Sequence, residues 1–264
     1  MIDSIDNGIT QSTTASVYRP AGPFALTPQP LKVEAIVEEN YRIKTFIFNG
    51  ETPEARPGQF VMAWLPRRDE KPFSLADNIP LSLTVAAVGP FSQAMHGLRV
   101  GDTLWFRGPY GQPFEPVGRR PVLVGGGYGV APLAWLASEQ RARGQQPLVV
   151  IGGRTAADII GVEKFEALNV PVLITTNDGS RGEKGLATQP VERLLENREV
   201  DGIYAVGPHG MLHALEALAF HYSIPAQLSW EAYMGCAIGL CGMCEHEDGS
   251  LLCIEGPVRR VVRG

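Results

Sequence analysis

Residues Pro121–Gly144 read PVLVGGGYGVAPLAWLASEQRARG. Val122–Val124 is an apolar run short enough for a buried strand, the glycines after it make a turn, and the apolar residues beyond Pro132 recur at helical spacing. Leu133, Leu136 and Ala137 fall on one face of that helix. Pro132 sits in the first turn, where its missing N–H is tolerated, and Gly144 is placed to end the helix. The run GGGYGVAP is not G-x-G-x-x-G, because Pro132 takes the place of the last glycine counted from Gly127. It still brings backbone N–H groups and a helix N-terminus up to an anion such as a dinucleotide phosphate. A tight strand–helix turn with no ligand is the plainer alternative.

Outward toward the C-terminus the alternation repeats. PLVVIGGR is a strand, the neighbours of Phe165 suit a short helix, and PVLITTNDGS is a strand ending in a polar loop. Pro190–Arg198 suits a helix, GIYAVG (Gly202–Gly207) is a strand, and a helix surrounds Met211–Phe220. Strand–helix repeats at this spacing predict a doubly wound parallel sheet. Ligands on such sheets lie beyond the carboxyl ends of the strands. Gly125–Gly127, Thr175–Gly179 and Gly207-Pro208 all follow strands in this way. Asp178, Arg181 and Lys184 lie in the loop NDGSRGEKG, which either touches a nucleotide ribose or phosphate or is simply solvated.

Toward the N-terminus the period shortens. LKVEAIVEE alternates with Leu31, Val33 and Ala35 on one side, and RIKTFIFN sets Ile43, Thr45 and Ile47 against Lys44, Phe46 and Phe48. QFVMAWLP, SLTVAAVG and DTLWFRGP follow, separated by Gly/Pro turns, and the set predicts a small antiparallel barrel. Lys71-Pro72-Phe73-Ser74 puts a cation, a rigid proline, an aromatic and a hydroxyl in succession, a set able to hold a phosphate and one face of a flat ring. Gly89-Pro90-Phe91-Ser92 is a second candidate, a turn whose N–H groups and hydroxyl could cradle a pyrophosphate. An ordinary strand entry and an ordinary turn are the plainer readings of each. Residues 1–30 are polar and then proline-rich and read as a loose extension.

All four cysteines lie between Trp230 and Pro257: Cys236, Cys241, Cys244 and Cys253, spaced C-x4-C-x2-C-x8-C. The first three have the spacing of a plant-type ferredoxin loop, which holds a [2Fe–2S] cluster with two thiolates on each iron. The final gap is much shorter than in those ferredoxins. Ala237, Gly239 and Gly242 let such a loop curl and point amides at sulfur. A structural zinc or two disulfides are the alternatives. Zinc sites usually show two C-x2-C hooks, and only Cys241 and Cys244 form one. Disulfides do not suit a chain without an export signal.

With 264 residues, a hydrophobic fraction of 44% and a charged fraction of 19%, the composition is that of a globular protein of more than one domain. A net charge of −5 offers no basic footprint for nucleic acid or anionic lipid. No apolar run is long enough to span a membrane, and Asp3 and Asp6 stand where a secretory leader would be basic, so a cytoplasmic location is expected. His209 and His213 are four apart on an expected helix and read as surface histidines. Nothing matches a G-x-S-x-G nucleophile elbow.

Taken in order, K-P-F-S, GGGxGxAP, V-G-P-x-x-M and the four-cysteine loop resemble the ferredoxin-NADP reductase superfamily. More narrowly they resemble the electron transfer subunits of class B dihydroorotate dehydrogenases, over about residues 31–264. The resemblance implies an FAD-binding β-barrel domain (31–116), an NAD-binding α/β domain (117–226) and a [2Fe–2S] domain (227–264). It implies FAD contacts from Lys71, Pro72, Phe73, Ser74, Thr84, Val85, Ala86, Phe91 and Ser92. Gly125, Gly126, Gly127, Gly129 and Asp178 would hold the nicotinamide dinucleotide, and the four cysteines the cluster. Arg154 and Arg181 could each meet a 2′-phosphate, but the resemblance favours NAD(H). It further implies an FMN-containing catalytic partner subunit in a heterotetramer, and service to pyrimidine biosynthesis. A hydrogenase or ferredoxin-linked partner, or a zinc-stabilised nucleotide-binding regulatory module, are the competing readings. Lys71 stands where the family has arginine, Phe91 where it has glycine, and Val206 where many relatives have cysteine. Hydride supplies two electrons and a cluster takes one, so a flavin must stand between them, and no catalytic acid or base is required.

Overall fold

The computed structural model describes residues 26–52 and 54–261. Most of the extension read over residues 1–30 lies outside the described residues. Its end, Gln29-Pro30, already belongs to the first strand.

The N-terminal half is antiparallel. It comprises β1 (Gln29–Asn40), β2 (Ile43–Phe48), β3 (Phe60–Leu65), β4 (Asp69–Ser74), β5 (Asp77–Asn78), β6 (Leu81–Ala86), helix α1 (Pro90–His96) and β7 (Thr103–Tyr110). The strand order is β4-β3-β7-β1-β2-β6-β5. Strand β1 is long enough to serve two partners: Gln29–Lys32 pair with β7, and Val33–Asn40 with β2. A register shift between Val33 and Ala35 changes which side chains face inward. Val33 is buried and Ile36 packs on the core, while Val37 is exposed, so the simple Leu31/Val33/Ala35 alternation stops there. Phe46 and Phe48 fill this core with Leu83, Val85 and Phe106, and Phe48 meets Phe106 edge-on at 4.7 Å. Burying each such side chain is worth about 1.5–3 kcal/mol.

The second half is the expected doubly wound sheet. It runs β8 (Pro121–Gly126), α2 (Ala131–Ala142), β9 (Leu148–Gly153), α3 (Val162–Ala167), β10 (Val172–Thr176), β11 (Glu183–Lys184), α4 (Thr188–Glu196), β12 (Gly202–Val206), α5 (His209–Tyr222) and β13 (Ala226–Ser229). After an irregular loop come α6 (Leu252–Glu255) and β14 (Val258–Val261). The order is β11-β10-β9-β8-β12-β13-β14, parallel throughout except that β14 pairs antiparallel with β13. Leu123, Val149, Ile151 and Tyr204 face α2 and α3, whereas Val122, Val124, Ile203 and Ala205 face α4 and α5. Both faces are therefore covered, as a parallel sheet requires. The chain leaves β8 toward β9 on one side and returns to β12 on the other, which makes the β8/β12 edge the switch point.

The halves share core. Ile43, Ala86 and Phe114 pack with Val130, Tyr204 and Val206, and Phe60, Met62 and Tyr110 pack with Trp230, Met234 and Cys253. At the rim Tyr41 donates to the buried carboxylate of Asp158 at 2.9 Å, and Arg42 pairs with the same oxygen at 3.2 Å.

Candidate functional site

A cleft of ≈ 340 Å³ opens between the halves, at the carboxyl ends of β8 and β12. One wall is antiparallel: Lys71–Ser74 on β4, Thr84–Ala86 on β6, and Gly89–Ser92 at the start of α1. The other wall is the turn after β8 with Val206, and the floor includes Trp230, Glu231 and Met234.

Each wall is fixed by local chemistry. Phe73 and Phe91 face one another with ring centroids 5.9 Å apart and make an apolar panel. His96 Nε2 lies 2.8 Å from the carbonyl of Val85 and braces β6 from behind. Thr84 and Thr45 share a hydroxyl hydrogen bond of 2.8 Å. Lys71 Nζ lies 2.6 Å from Asp69, donates to the Tyr233 hydroxyl at 3.1 Å, and stands 4.5 Å from the Tyr233 ring centroid. Burial works against the lysine's charge, but Asp69 and Tyr233 outweigh it and raise its pKa. This lysine thus joins the antiparallel wall to the cysteine loop. Ser92 is committed to the backbone: its Oγ accepts from the N–H groups of Val88 and Gly89 at 3.0 Å and donates to the Gly89 carbonyl at 3.0 Å. The Gly89 amide and the Ser92 hydroxyl that the sequence offered to a pyrophosphate are therefore bonded to each other.

On the opposite wall the glycines answer to packing. A Cβ on Gly129 would stand 2.5 Å from the Val206 carbonyl oxygen, and one on Gly125 would stand 2.8 Å from Val130 Cα. Gly129 lines the cleft, while Gly125, Gly126 and Gly127 lie just behind it in the same turn. Tyr128 donates to Glu231 Oε2 at 3.0 Å. Burial raises the tyrosine's pKa, and desolvation likewise holds the Glu231 carboxyl above its ordinary range although part of that side chain reaches solvent. Asp178 lies outside the cleft, where it accepts from the amide of Ser180 at 2.9 Å and from its hydroxyl at 2.6 Å.

The cysteine loop packs against the floor. Cys244 and Cys253 are buried, Cys236 is half-buried and Cys241 is exposed, all as free thiols. Cys236 Sγ accepts from the backbone N–H groups of Ile238, Leu240 and Cys241 at 3.3–3.4 Å. Burial would raise that thiol, but the three amides bring it down to about 7. Cys253 is pushed up to about 12 by burial and by neighbouring Cys244. Cys253 feels both Cys244 and Cys236, and Cys236 feels Cys241, so the four thiols neighbour one another. Among the described residues no group of three or more His, Cys, Asp or Glu side chains is placed to hold a single metal ion. His209 and His213 are exposed on α5, where their rings flank the buried Trp230.

No family model matches the chain. It is 43% identical over 237 residues to the probable dihydroorotate dehydrogenase B (NAD(+)), electron transfer subunit of Methanothermobacter thermautotrophicus, covering 88% of each chain. The corresponding proteins of Methanocaldococcus jannaschii and Thermococcus kodakarensis are 38% and 41% identical, over 88% and 86% of this chain and 89% and 93% of theirs. The chain belongs to this family of electron transfer subunits. Among solved structures, an NADH-dependent reduced ferredoxin-NADP oxidoreductase superposes with a TM-score of 0.80 at 29% identity, covering 91% of this chain and 90% of that one. The cytochrome b5 reductase domain of Ulva prolifera nitrate reductase shares the fold, with a TM-score of 0.61 at 17% identity over 75% of this chain and 94% of its own.

In this member of the family, the cleft gathers Lys71, Pro72, Phe73, Ser74, Thr84, Val85, Ala86, Phe91, Ser92 and Gly129 from the residues singled out in the sequence. It also exposes Tyr128, Trp230, Glu231 and Met234, to which sequence reasoning assigned no role. Tyr128 reads as a spacer among glycines. Glu231 carries a signal only once β13 is seen to end at Ser229, which puts Glu231 at a strand's carboxyl end.

Proposed function

We propose that the chain carries electrons between NAD(H) and a dihydroorotate-oxidising catalytic subunit through FAD and a [2Fe–2S] cluster, in pyrimidine biosynthesis. The observation that carries this is one cleft walled by Lys71–Ser74 and Thr84–Ala86 on one side and by the turn at Gly129 on the other. The cysteine loop is packed into the same core.

FAD fits the antiparallel wall. The Phe73/Phe91 panel suits a flat ring, Lys71 supplies a cation, and Thr84 lines the same space. The dinucleotide fits the turn at Gly129, which lines the cleft where α2 begins at the switch point. The cluster fits the thiols. Four thiols are what two irons need, amides already point at Cys236, and Ala237, Gly239 and Gly242 hold φ of 60°, 77° and 71° to curl the loop. When bound, a flavin exchanges electrons in pairs with nicotinamide and singly with an iron–sulfur centre. The protein's part is to bind and orient. The aromatic panel would shield one face of a bound ring from water, Lys71 ties that wall to the cysteine loop through Tyr233, and Tyr128 fixes Glu231 at the edge of the cleft. No side chain is assigned as a catalytic acid or base.

The domains proposed are FAD-binding over 31–116, NAD-binding over 117–226 and cluster-binding over 227–264, the last returning to the NAD-binding sheet through β14. The partner proposed is an FMN-containing catalytic subunit in a heterotetramer. No helix among the described residues is long and apolar enough to cross a membrane. The visible spectrum of the purified chain, before and after NADH, tests this reading. Flavin and iron–sulfur absorption that bleach on NADH addition are expected; a colourless protein with one zinc per chain overturns it. The likeness to a ferredoxin-NADP oxidoreductase favours a ferredoxin-linked partner as the second reading. Co-purification with a dihydroorotate-oxidising subunit or with a ferredoxin partner decides between them.

A further inference from the structure

Arg107 lies in the middle of β7 with its side chain only 12% exposed. Its Nε and Nη2 each donate to one carboxylate oxygen of Glu70 at 2.6 Å. Its Nη1 donates to the Tyr110 hydroxyl at 2.9 Å and to the carbonyl oxygen of Cys236 at 2.8 Å. Glu70 immediately precedes Lys71 on β4. One guanidinium therefore touches the strand that walls the cleft, a tyrosine of its own strand and the first cysteine of the loop.

Strand cohesion does not explain the pair. Backbone ladders already join β3 to β4 at Trp64/Glu70 and β3 to β7 at Met62/Arg107. Apolar residues of similar size often stabilise such a place as well as a buried ion pair does. What an apolar pair would not supply is a fixed positive charge against the peptide of Cys236. Arginine keeps that charge at any working pH, and its fork holds the direction. The compensating carboxylate sits on the guanidinium edge away from Cys236, since Nε and Nη2 are committed to it and Nη1 is not.

Resting on the cluster reading above, we infer that Arg107 and Glu70 are a positioning pair that holds Cys236 against the cleft wall and sets the cluster's reduction potential. Uptake of one electron adds one negative charge to a four-thiolate cluster. No bond is made or broken, and no proton crosses Arg107. The nearer cation stabilises the reduced form and the farther carboxylate opposes it, so the two members of one ion pair act with opposite sign. Partial burial keeps both charges from being screened as surface groups are.

The test is an EPR-monitored redox titration of the full chain, purified anaerobically with its bound cofactors. Arg107→Gln lowers the cluster midpoint and Glu70→Gln raises it. Each shifts the reduced-to-oxidised ratio at a fixed potential about tenfold, which is ~59 mV for a one-electron couple. Arg107→Lys keeps the charge and stays nearer the wild type, and flavin content is unchanged in Glu70→Gln. If Arg107→Gln takes up no iron, the sign of the Glu70→Gln shift decides: upward supports the pair's role, and an unchanged or lower midpoint overturns it. Midpoints that do not move, or that move together in one direction, overturn the inference while leaving the cluster reading intact. A wild-type chain with no iron and no signal on reduction overturns both.

Discussion

Two glycine-bearing loops meet at the carboxyl ends of the parallel strands, and they use glycine for different reasons. In the turn after β8, a Cβ on Gly125 or Gly129 would strike backbone at 2.8 or 2.5 Å. At those two positions the turn is shaped from outside, by neighbours that have already packed; only Gly127 between them has open space and a left-handed φ of 57°. In the cysteine loop, Gly242 has open space around it and is there for its φ of 71°, and even Ala237 adopts 60°. That loop is curled by its own backbone at these positions, in the way a loop proposed to wrap a cluster would need. The first is a piece of core; the second is a wrapper.

The contrast breaks first at the thiols. Replacing either Cys236 or Cys253 by serine should remove most of the iron and lower partner-dependent NAD turnover more than about 100-fold, beyond the usual effect of losing a ligand's hydrogen-bonding support. Iron analysis and steady-state rates check this, and normal iron in either variant contradicts the wrapper. The thiols of the iron-free chain should also differ sharply in reactivity. Alkylation followed by mass spectrometry should modify Cys236 long before Cys253. The rate at Cys236 should fall as pH drops below about 7, because the reactive thiolate is then protonated, whereas Cys253, held up near 12, stays inert through neutral pH.

Glycine substitutions sharpen the comparison. Gly129→Ala should lower stability by about 1–3 kcal/mol, since the Val206 carbonyl it meets belongs to a central strand that cannot move aside. Denaturant melts of the iron-free chain report it. Gly242→Ala meets no atom and should cost only about 1–2 kcal/mol for left-handed backbone. This penalty should show as lower iron retention under a chelator more than as a lower melting temperature. If the two substitutions behave alike in both assays, the distinction between the loops is lost.

How much of this was legible in the sequence follows the same division. The turn after β8, with Pro132 in the first helical turn and Gly144 past the end, is a local pattern, and the structure repeats it nearly residue for residue. The alternation of the parallel half is legible for the same reason. The register shift in β1 is not, because it depends on how β2 pairs with it rather than on β1's own residues. Strand β14 escaped notice altogether. VRRV is short and half-polar, and its partner β13 lies on the far side of the whole cysteine loop. Arg107 reads as one more residue of an alternating strand, since nothing nearby in sequence announces Glu70 or Cys236. Asp178, which by position suits either a ribose or a solvated loop, lies outside the cleft and bonds within its own loop to Ser180.

The pairing of β14 with β13 has a mechanical consequence. Ser229 lies opposite Val258, and the Trp230 amide donates to the Pro257 carbonyl at 2.9 Å, so the whole excursion leaves the sheet and rejoins it at one point. Such a geometry is a buckle rather than a swinging arm. The sulfur-bearing segment is thereby tied to the edge of the sheet at both of its ends, and an electron passing through a cluster proposed there would start from an anchored position.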